Sequence, residues 1–195
     1  MVEKKVFEGI SPRAQQLLKG TEGVMVDFKR NAKSVSADDL VSFANSVKGG
    51  TLLLGIDDTE DNSGRQMGQI VGCEISDGMK LLITNKAFSC FPPVPIEIFI
   101  ENNGDLPFYR IEIATGQNKP YCTAGGTYKT REDGRNKILH PNELLELFLD
   151  SASQQFTERF RRVVKSNDDA NIEALKSEVA ELRRAVEALT KKLDV

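Results

Sequence analysis

The chain has 195 residues, 39% of them hydrophobic, and a formal net charge of −3, which divides into −4 over residues 1–150 and +1 over residues 151–195. This length suits one compact domain with an appendage, and the acidic balance excludes a protein that is basic throughout, so any nucleic-acid site must be a local patch. No apolar run approaches the ~20 residues of a membrane span and no signal-peptide pattern opens the chain, so we expect a cytoplasmic protein without a membrane partner.

Helix and strand signals alternate along residues 1–150 and predict an α/β (α+β) domain in which helices flank a mixed sheet. N-cap residues or a leading proline predict helix starts at Ser11-Pro12, Ser36, Ser76 and Pro141. Apolar runs or alternation predict strands over residues 24–28, 51–56, 96–100, 109–113 and 127–130. The polar run 57–64 is predicted to be a turn.

Residues 172–193 carry apolar side chains at alternating spacings of three and four, the heptad pattern of a coiled coil. The positions are Ile172, Leu175, Val179, Leu182, Val186, Leu189 and Leu193. Leucine at every d position and mostly β-branched a positions favour a parallel dimer, so we expect a homo-oligomer. A helix packed against its own domain is the alternative. Residues 151–171, with Arg159, Arg161, Arg162 and Lys165, are predicted to form a basic linker or helix.

Three carboxylates are candidate site residues. Glu22 and Asp27 flank the first predicted strand, and Asp58 lies where the second one ends. If these strands are neighbours, the acids converge at one edge, where they could hold a divalent cation or raise a pKa for acid–base catalysis. Hard carboxylate oxygens suit Mg²⁺ or Mn²⁺. The alternative is that all three are solvated turn residues.

Two basic groups are candidate nucleic-acid contacts. The first follows the first predicted strand, and the second surrounds the last predicted strand and its turn. Their members are Lys29, Arg30 and Lys33, and Tyr128, Lys129, Arg131, Arg135 and Lys137. A tyrosine among cations suits phosphate contact combined with base stacking. An ordinary solvated face is the alternative.

Other familiar sites are not predicted. The run 46–51 contains Lys48, Gly49 and Gly50 but lacks the spacing of a phosphate-binding loop, and it ends a predicted helix where the dipole disfavours phosphate. His140 is the only histidine and has no partner set for a catalytic triad. The three cysteines form no CxxC pair, which argues against zinc and against a disulfide framework.

Several segments together resemble the Schlafen AlbA_2 family, also called divergent AAA-4. Residues 26–29, VDFK, resemble its "EFK" strand, and residues 43–58, FANSVKGGTLLLGIDD, resemble its "FANT-GG-LLIGVDD" core. Weaker matches follow in the same order: Gly64 to Gly72, the prolines 92, 93 and 95, KPY at 119–121 and YKTR at 128–131. The resemblance spans roughly residues 21–148.

The resemblance implies a fold that in animal Schlafen proteins carries a metal-dependent endoribonuclease site. That site uses two acids five residues apart around the "EFK" strand and one later aspartate. Glu22 and Asp27 match the pair here, and Asp58 matches the later aspartate, with Asp57 as the alternative. Asp27 replaces the usual glutamate. We therefore expect a protein that acts on RNA or single-stranded DNA, with metal-dependent cleavage, a non-catalytic regulatory binding module and ATP binding as open alternatives.

Overall fold

The computed structural model describes residues 5–20, 23–60, 66–166, 173 and 176–186, and the chain forms two compact units, residues 1–148 and 149–195. The helices are α1 (Pro12–Leu18), a short 3-10 helix (Ala32–Ser34), α2 (Ala37–Asn45), α3 (Asp77–Phe88) and α4 (Pro141–Ser166). The strands are β1 (Val26–Lys29), β2 (Gly50–Leu54), β3 (Ile56–Glu60), β4 (Gln66–Ile70), β5 (Ile96–Glu101), β6 (Phe108–Ile113), β7 (Lys129–Glu132) and β8 (Arg135–Ile138).

A four-stranded mixed sheet with the order β1-β2-β6-β5 forms the centre of the first unit. β1 and β2 run parallel, with Asp27 opposite Leu52, and the remaining pairs are antiparallel. β3 pairs with β4 and β7 with β8 in separate two-stranded ribbons. The predicted fold class, a mixed sheet flanked by helices, is confirmed.

The helix starts follow local capping chemistry. At Ser11, Ser36 and Ser76 the side chain accepts a hydrogen bond from the backbone N–H three residues further on, as predicted. At α2 the cap is reciprocal, because the Asp39 carboxylate also accepts from the Ser36 N–H at 2.9 Å. None of the helices in the described ranges is long and apolar enough to cross a membrane.

Alternation along the strands directs side chains to the two faces of the sheet. Leu52 and Leu54 of β2 pack with Phe43 of α2 on one face. Leu53 packs on the other face, in a cluster with Phe28 of β1 and residues of α1. Asp27 and Lys29 alternate with Phe28 along β1, so their side chains lie on the α2 side of the sheet.

The predicted turn over residues 57–64 is wrong for its first four residues. Gly55 adopts a positive φ of 101° and redirects the chain after β2, and residues 57–60 then continue as strand β3. The partner strand β4, in which Gly68 lies opposite Asp58, was not predicted. A polar strand in a two-stranded ribbon carries little apolar alternation, so its sequence resembles that of a turn.

The second unit begins with the last part of α4, which contains most of the predicted basic linker. Its other described helical residues are 173 and 176–186. Here Val179, Leu182 and Val186 line the same groove as Leu149 and Phe156 of α4. The described heptad residues therefore face a helix of their own chain, and a parallel coiled coil is not confirmed. Ile172, Leu175, Leu189 and Leu193 lie outside the described residues, so dimerisation through 172–193 stays a prediction.

We predict that Gly50→Ala destabilises the first unit. A Cβ at Gly50 would lie 2.1 Å from Cδ1 of Phe43, which is fully buried, and 2.9 Å from the Met25 carbonyl oxygen. Overpacking of this kind costs about 1–3 kcal/mol, measurable as a lower urea midpoint. In the control Gly125→Ala, the nearest atom lies 3.8 Å from the new Cβ. The free energy of unfolding of this variant should stay within about 0.5 kcal/mol of wild type. Equal midpoints for both variants would contradict the packing of Phe43 on β2.

Candidate functional site

Asp27 lies in the middle of β1 and is 5% exposed. A carboxylate so deeply buried requires a counter-charge, because desolvation of an isolated ion costs several kcal/mol. Two cations supply it. Arg131 of β7 donates from Nη2 to Oδ1 at 2.6 Å, and Lys29 places Nζ 2.7 Å from Oδ2. The Lys29 contact is an ion pair rather than a well-directed hydrogen bond, and no described residue donates a hydrogen bond to Oδ2.

Arg131 is held from three further sides, and its side chain is only 2% exposed. Nε donates to the Gly23 carbonyl at 3.2 Å, and Nη1 donates to Oδ1 of Asn136 at 3.0 Å. The guanidinium carbon lies 4.9 Å from the centre of the Phe43 ring, within the range of a cation–π contact. The position and orientation of this guanidinium are therefore fixed by the fold.

Asp39 of α2 extends the same network. Its Oδ1 accepts from Asn136 Nδ2 at 2.8 Å and lies 3.6 Å from Lys29 Nζ. Burial acts to raise the pKa of Asp39, but hydrogen bonds from Ser36 and Asn136 and the charge of Lys29 outweigh it, and the net shift is downward. We refer to Asp27, Lys29, Asp39, Arg131 and Asn136 as the central charge network.

Lys29 connects the two acids of the central charge network. Burial acts to lower its pKa, but the contact with Asp27 and the charges of Asp39 and Asp27 outweigh burial, so the net shift is upward. The direction means that Lys29 remains an ammonium ion throughout the physiological range. The network therefore contains two carboxylates and two cations, and its charges balance.

A second set of contacts holds β7 and the segment before it against α2. The Asn45 amide donates to the carbonyls of Tyr121 and Lys129, both at 2.8 Å, and its Oδ1 accepts from the Tyr121 N–H at 2.8 Å. Lys129 Nζ pairs with the Asp38 carboxylate. Asn45 thus satisfies backbone groups from a distant part of the chain, a structural role for a residue within the FAN motif.

The three acids predicted to form one site have different surroundings. Asp27 is buried in the central charge network, whereas Asp58 is exposed on β3 opposite Gly68. Glu22 lies outside the described residues. Asp57, the other match to the family aspartate, is 2.7 Å from Arg30 Nη1. The catalytic and metal-binding roles of Glu22, Asp27 and Asp58 stay predictions.

As placed, the described acids do not fit Mg²⁺ or Mn²⁺. In the parts of the chain that the structure describes, no three His, Cys, Asp or Glu side chains lie together as metal ligands. Oδ2 of Asp27 lacks a directed hydrogen bond, but the Lys29 ammonium is already 2.7 Å away, so a divalent cation there would meet a like charge.

The predicted nucleic-acid contacts separate by exposure. Arg30, Lys33 and Arg135 are exposed, with 73% of the Arg30 side chain accessible. Four others are half-buried: Lys29, Tyr128, Lys129 and Lys137. Arg131 is buried, and its position supports a structural role rather than the predicted contact with phosphate.

Half-buried Tyr128 and Lys137 already have partners within the chain. A hydrogen bond with the Cys122 thiol raises the pKa of Tyr128. Lys137 Nζ lies 3.1 Å from Glu132 and 2.9 Å from Glu143. A nucleic acid would therefore have to displace Glu132 and Glu143 before a phosphate could pair with Lys137.

The sequence did not indicate the partners of these residues. Asp38, Asp39, Asn45 and Asn136 all contact these residues or their strands; Asp39 carried a local signal as the reciprocal partner of the Ser36 cap, and Asn45 stood in the FAN motif of the family resemblance. The pattern of a helix cap does not predict that Asp39 also contacts Lys29 and Asn136, because these two residues belong to other elements.

Comparison with known proteins identifies one family and several similar solved structures, two of which are described here. The sequence pattern of the family described as "Schlafen, AlbA_2" matches residues 22–140. The DIP2311 protein of Corynebacterium diphtheriae is 18% identical with a TM-score of 0.46, over 70% of this chain and 29% of that one. The N-terminal domain of a RecG-related protein from Nitrosomonas europaea is 19% identical with a TM-score of 0.49, over 65% of this chain and 92% of that domain. No match was found among curated proteins.

We predict that Asp27→Asn strongly destabilises the first unit. The amide keeps the shape of the side chain but leaves the buried Arg131 guanidinium without its counter-charge. Breaking a buried pair in this way costs about 3–5 kcal/mol, measurable by urea unfolding. The matched control Asp58→Asn changes an exposed carboxylate with no ion pair among the described residues, and should shift stability by less than about 0.5 kcal/mol. Equal losses in the two variants would contradict a structural role for Asp27.

We also predict that Asp39 contributes to acid unfolding. Because the fold lowers the pKa of Asp39, its stabilisation is complete above the ordinary aspartate pKa of about 3.9 and is lost as the pH falls through the lowered value. Asp39→Asn should reduce the unfolding free energy at neutral pH and flatten its decline below about pH 4. Urea unfolding at a series of pH values measures both effects. A variant curve parallel to wild type at every pH would contradict the contribution of Asp39.

Proposed function

The chain belongs to the Schlafen AlbA_2 family, and we propose that it binds RNA or single-stranded DNA through an exposed basic surface, without cleavage that depends on Asp27. The observation that carries this proposal is the exposure of Arg30, Lys33 and Arg135. We refer to these three residues as the exposed basic set. The buried charged side chains of the central charge network, in contrast, already have partners within the chain. Exposed cations contact phosphates, and they supply the salt-dependent part of nucleic-acid affinity.

The locations of these residues favour a flexible strand over a duplex. Arg30 follows β1, Lys33 lies in the short 3-10 helix and Arg135 begins β8 after the turn from β7. Side chains on three separate segments do not form the single helical face that reads a major groove. Contacts to a single-stranded backbone require no such face, and half-buried Tyr128 offers an aromatic ring near the β7–β8 ribbon for base stacking.

A carboxylate of the same chain, Asp57, competes with phosphate for Arg30 and so limits the affinity. Arg30 pairs with Asp57 at 2.7 Å, and because 73% of the Arg30 side chain is exposed, a phosphate can replace the carboxylate at small cost. Removing Asp57 should therefore strengthen binding rather than weaken it. Asp57→Asn is expected to increase affinity up to about fivefold, since an exposed ion pair is worth about 0–1 kcal/mol.

The acids support a non-catalytic interpretation of the site. Asp27 is neutralised by Arg131 and Lys29, and Asp58 is exposed on the separate β3–β4 ribbon. If Mg²⁺ or Mn²⁺ were held by Glu22, Asp27 and Asp58, Asp27 would first have to leave its ion pairs. We therefore place binding ahead of metal-dependent cleavage and derive no step through a metal.

We predict that alanine at Arg30, Lys33 and Arg135 weakens binding to a labelled single-stranded RNA. The salt slope of log K should fall by about 0.7 for every phosphate that the variant no longer neutralises. Fluorescence anisotropy at several salt concentrations measures both the affinity and the slope. The control Lys5→Ala removes an exposed cation beside β5, at the opposite edge of the sheet from β1, and should leave the slope unchanged.

Two outcomes would contradict this proposal. An unchanged salt slope in the triple variant would place the nucleic-acid surface elsewhere or exclude one. Cleavage of the same RNA in Mn²⁺ that disappears in Asp58→Asn would instead favour the carboxylate site predicted from Glu22, Asp27 and Asp58. The folded state of each variant is checked by its urea midpoint, so that loss of binding is not confused with unfolding.

A further inference from the structure

Four extended segments of the first unit lie side by side, and two of them are β7 and β8. Phe91, which follows α3, exchanges two backbone hydrogen bonds with Cys122. The Phe91 N–H donates to the Cys122 carbonyl at 2.8 Å, and the Cys122 N–H donates to the Phe91 carbonyl at 2.7 Å. Cys122 is bridged in turn to Tyr128, directly before β7, and both bridges are antiparallel. The backbone of Phe91 is therefore held in place by the chain around it.

The pairing of these segments determines which side chains share a face. Opposite residues of an antiparallel pair project to the same side, and successive residues of a strand project to opposite sides. Lys129 and Arg131 of β7 form ion pairs with α2 and β1, so their side of the ribbon faces inward. The alternate residues and their partners face outward, and we refer to them as the outer face: Phe91, Cys122, Tyr128, Glu132, Arg135 and Lys137.

Phe91 presents an exposed ring on the outer face, with 61% of the residue accessible. Tyr128 is half-buried on the same face, two segments away, which corresponds to about 9.6 Å across a sheet. The hydrogen bond between its hydroxyl and the Cys122 thiol restrains the Tyr128 ring. In the described ranges, neither ring stacks on another aromatic side chain. An exposed ring on a fixed backbone is suited to stack on a nucleic-acid base.

Cations of the exposed basic set lie on the outer face and near its Phe91 end. Arg135 belongs to the outer face and has no ion-pair partner in the described part of the chain. Lys33 lies against the last turns of α3, where Lys86 Nζ donates to the Lys33 carbonyl at 3.4 Å. The outer-face carboxylate, Glu132, is 3.1 Å from Lys137 Nζ. Phosphates that contact Arg135 and Lys33 would therefore bring their bases close to the two aromatic rings.

We propose that an unpaired base of a bound single strand stacks on Phe91, while Arg135 and Lys33 contact the phosphates of its backbone. This inference rests on the nucleic-acid binding proposed above and adds a reason for the choice of a single strand. In a duplex the faces of the bases are covered by neighbouring base pairs, whereas in a single strand they are open to a protein ring. Every base has such a face, so the preference is for unpaired bases and not for one sequence.

Fluorescence anisotropy with a labelled single-stranded oligouridine tests the proposal on the full chain. Phe91→Ala should weaken binding about five- to 150-fold, the range for loss of one base–aromatic stack. The salt slope should stay unchanged, because the substitution removes no charge. The matched control Phe88→Ala removes a similarly exposed phenylalanine (68%) that borders a groove beside β5, and should leave the affinity unchanged. The urea midpoint of each variant shows that the fold is retained.

An abasic ribose–phosphate strand of the same length separates stacking from phosphate contact. It should bind wild type and Phe91→Ala equally, since it has no base to stack. Equal weakening of both strands by Phe91→Ala would overturn the proposal, because Phe91 would then only shape the basic surface.

A tryptophan at position 91 provides a direct readout, since the chain contains no other tryptophan. Phe91→Trp should bind oligouridine at least as tightly as wild type, and its emission should be quenched by oligouridine but not by the abasic strand. Phe88→Trp should show no quenching with either strand.

The outcomes distinguish this inference from the function on which it rests. Salt-dependent binding that is lost in the triple variant of the exposed basic set but unchanged in Phe91→Ala, without quenching in Phe91→Trp, would overturn the stacking alone. A wild type that binds neither the oligouridine nor the abasic strand would overturn the proposed function and the stacking together.

Discussion

Arg131 and Asp27 are joined by a 2.6 Å ion pair between β7 and the middle of β1, and the arrangement of the first unit depends on it. Without Asp27 the buried Arg131 guanidinium would lose its counter-charge, and an unpaired ion in this environment costs several kcal/mol. The pair therefore fixes the β7–β8 ribbon against the sheet and α2. Lys29 and Asp39 balance the remaining charge and bring the cap of α2 into the same network.

The same interaction restricts what the site can do. A carboxylate held by an arginine and a lysine is a poor ligand for a divalent cation, and a buried guanidinium cannot approach phosphate. Arg30, Lys33 and Arg135 lie outside this network and are exposed at the surface. Membership of the Schlafen AlbA_2 family and this exposed basic set together support a nucleic-acid-binding role.

The second unit follows a different physical rule. Its ion pair between Arg159 and Glu178 is exposed and contributes little, so apolar burial must supply most of its stability. Among the described residues of this unit, Leu182 is 40% and Val186 39% exposed.

The sequence alone determined the features whose causes lie within a few residues. Ser36 and Asp39 predicted the start of α2, and alternating apolar residues predicted β5 and β6, because capping bonds and strand periodicity are local. Tertiary structure alone decided that Asp27 and Arg131, 104 positions apart, neutralise each other, and that residues 57–60 form a strand paired with β4. The residues next to a charged side chain in the sequence do not indicate its ion-pair partner. The exposure and pairing of the predicted site residues are therefore decided only when distant segments of the chain come together.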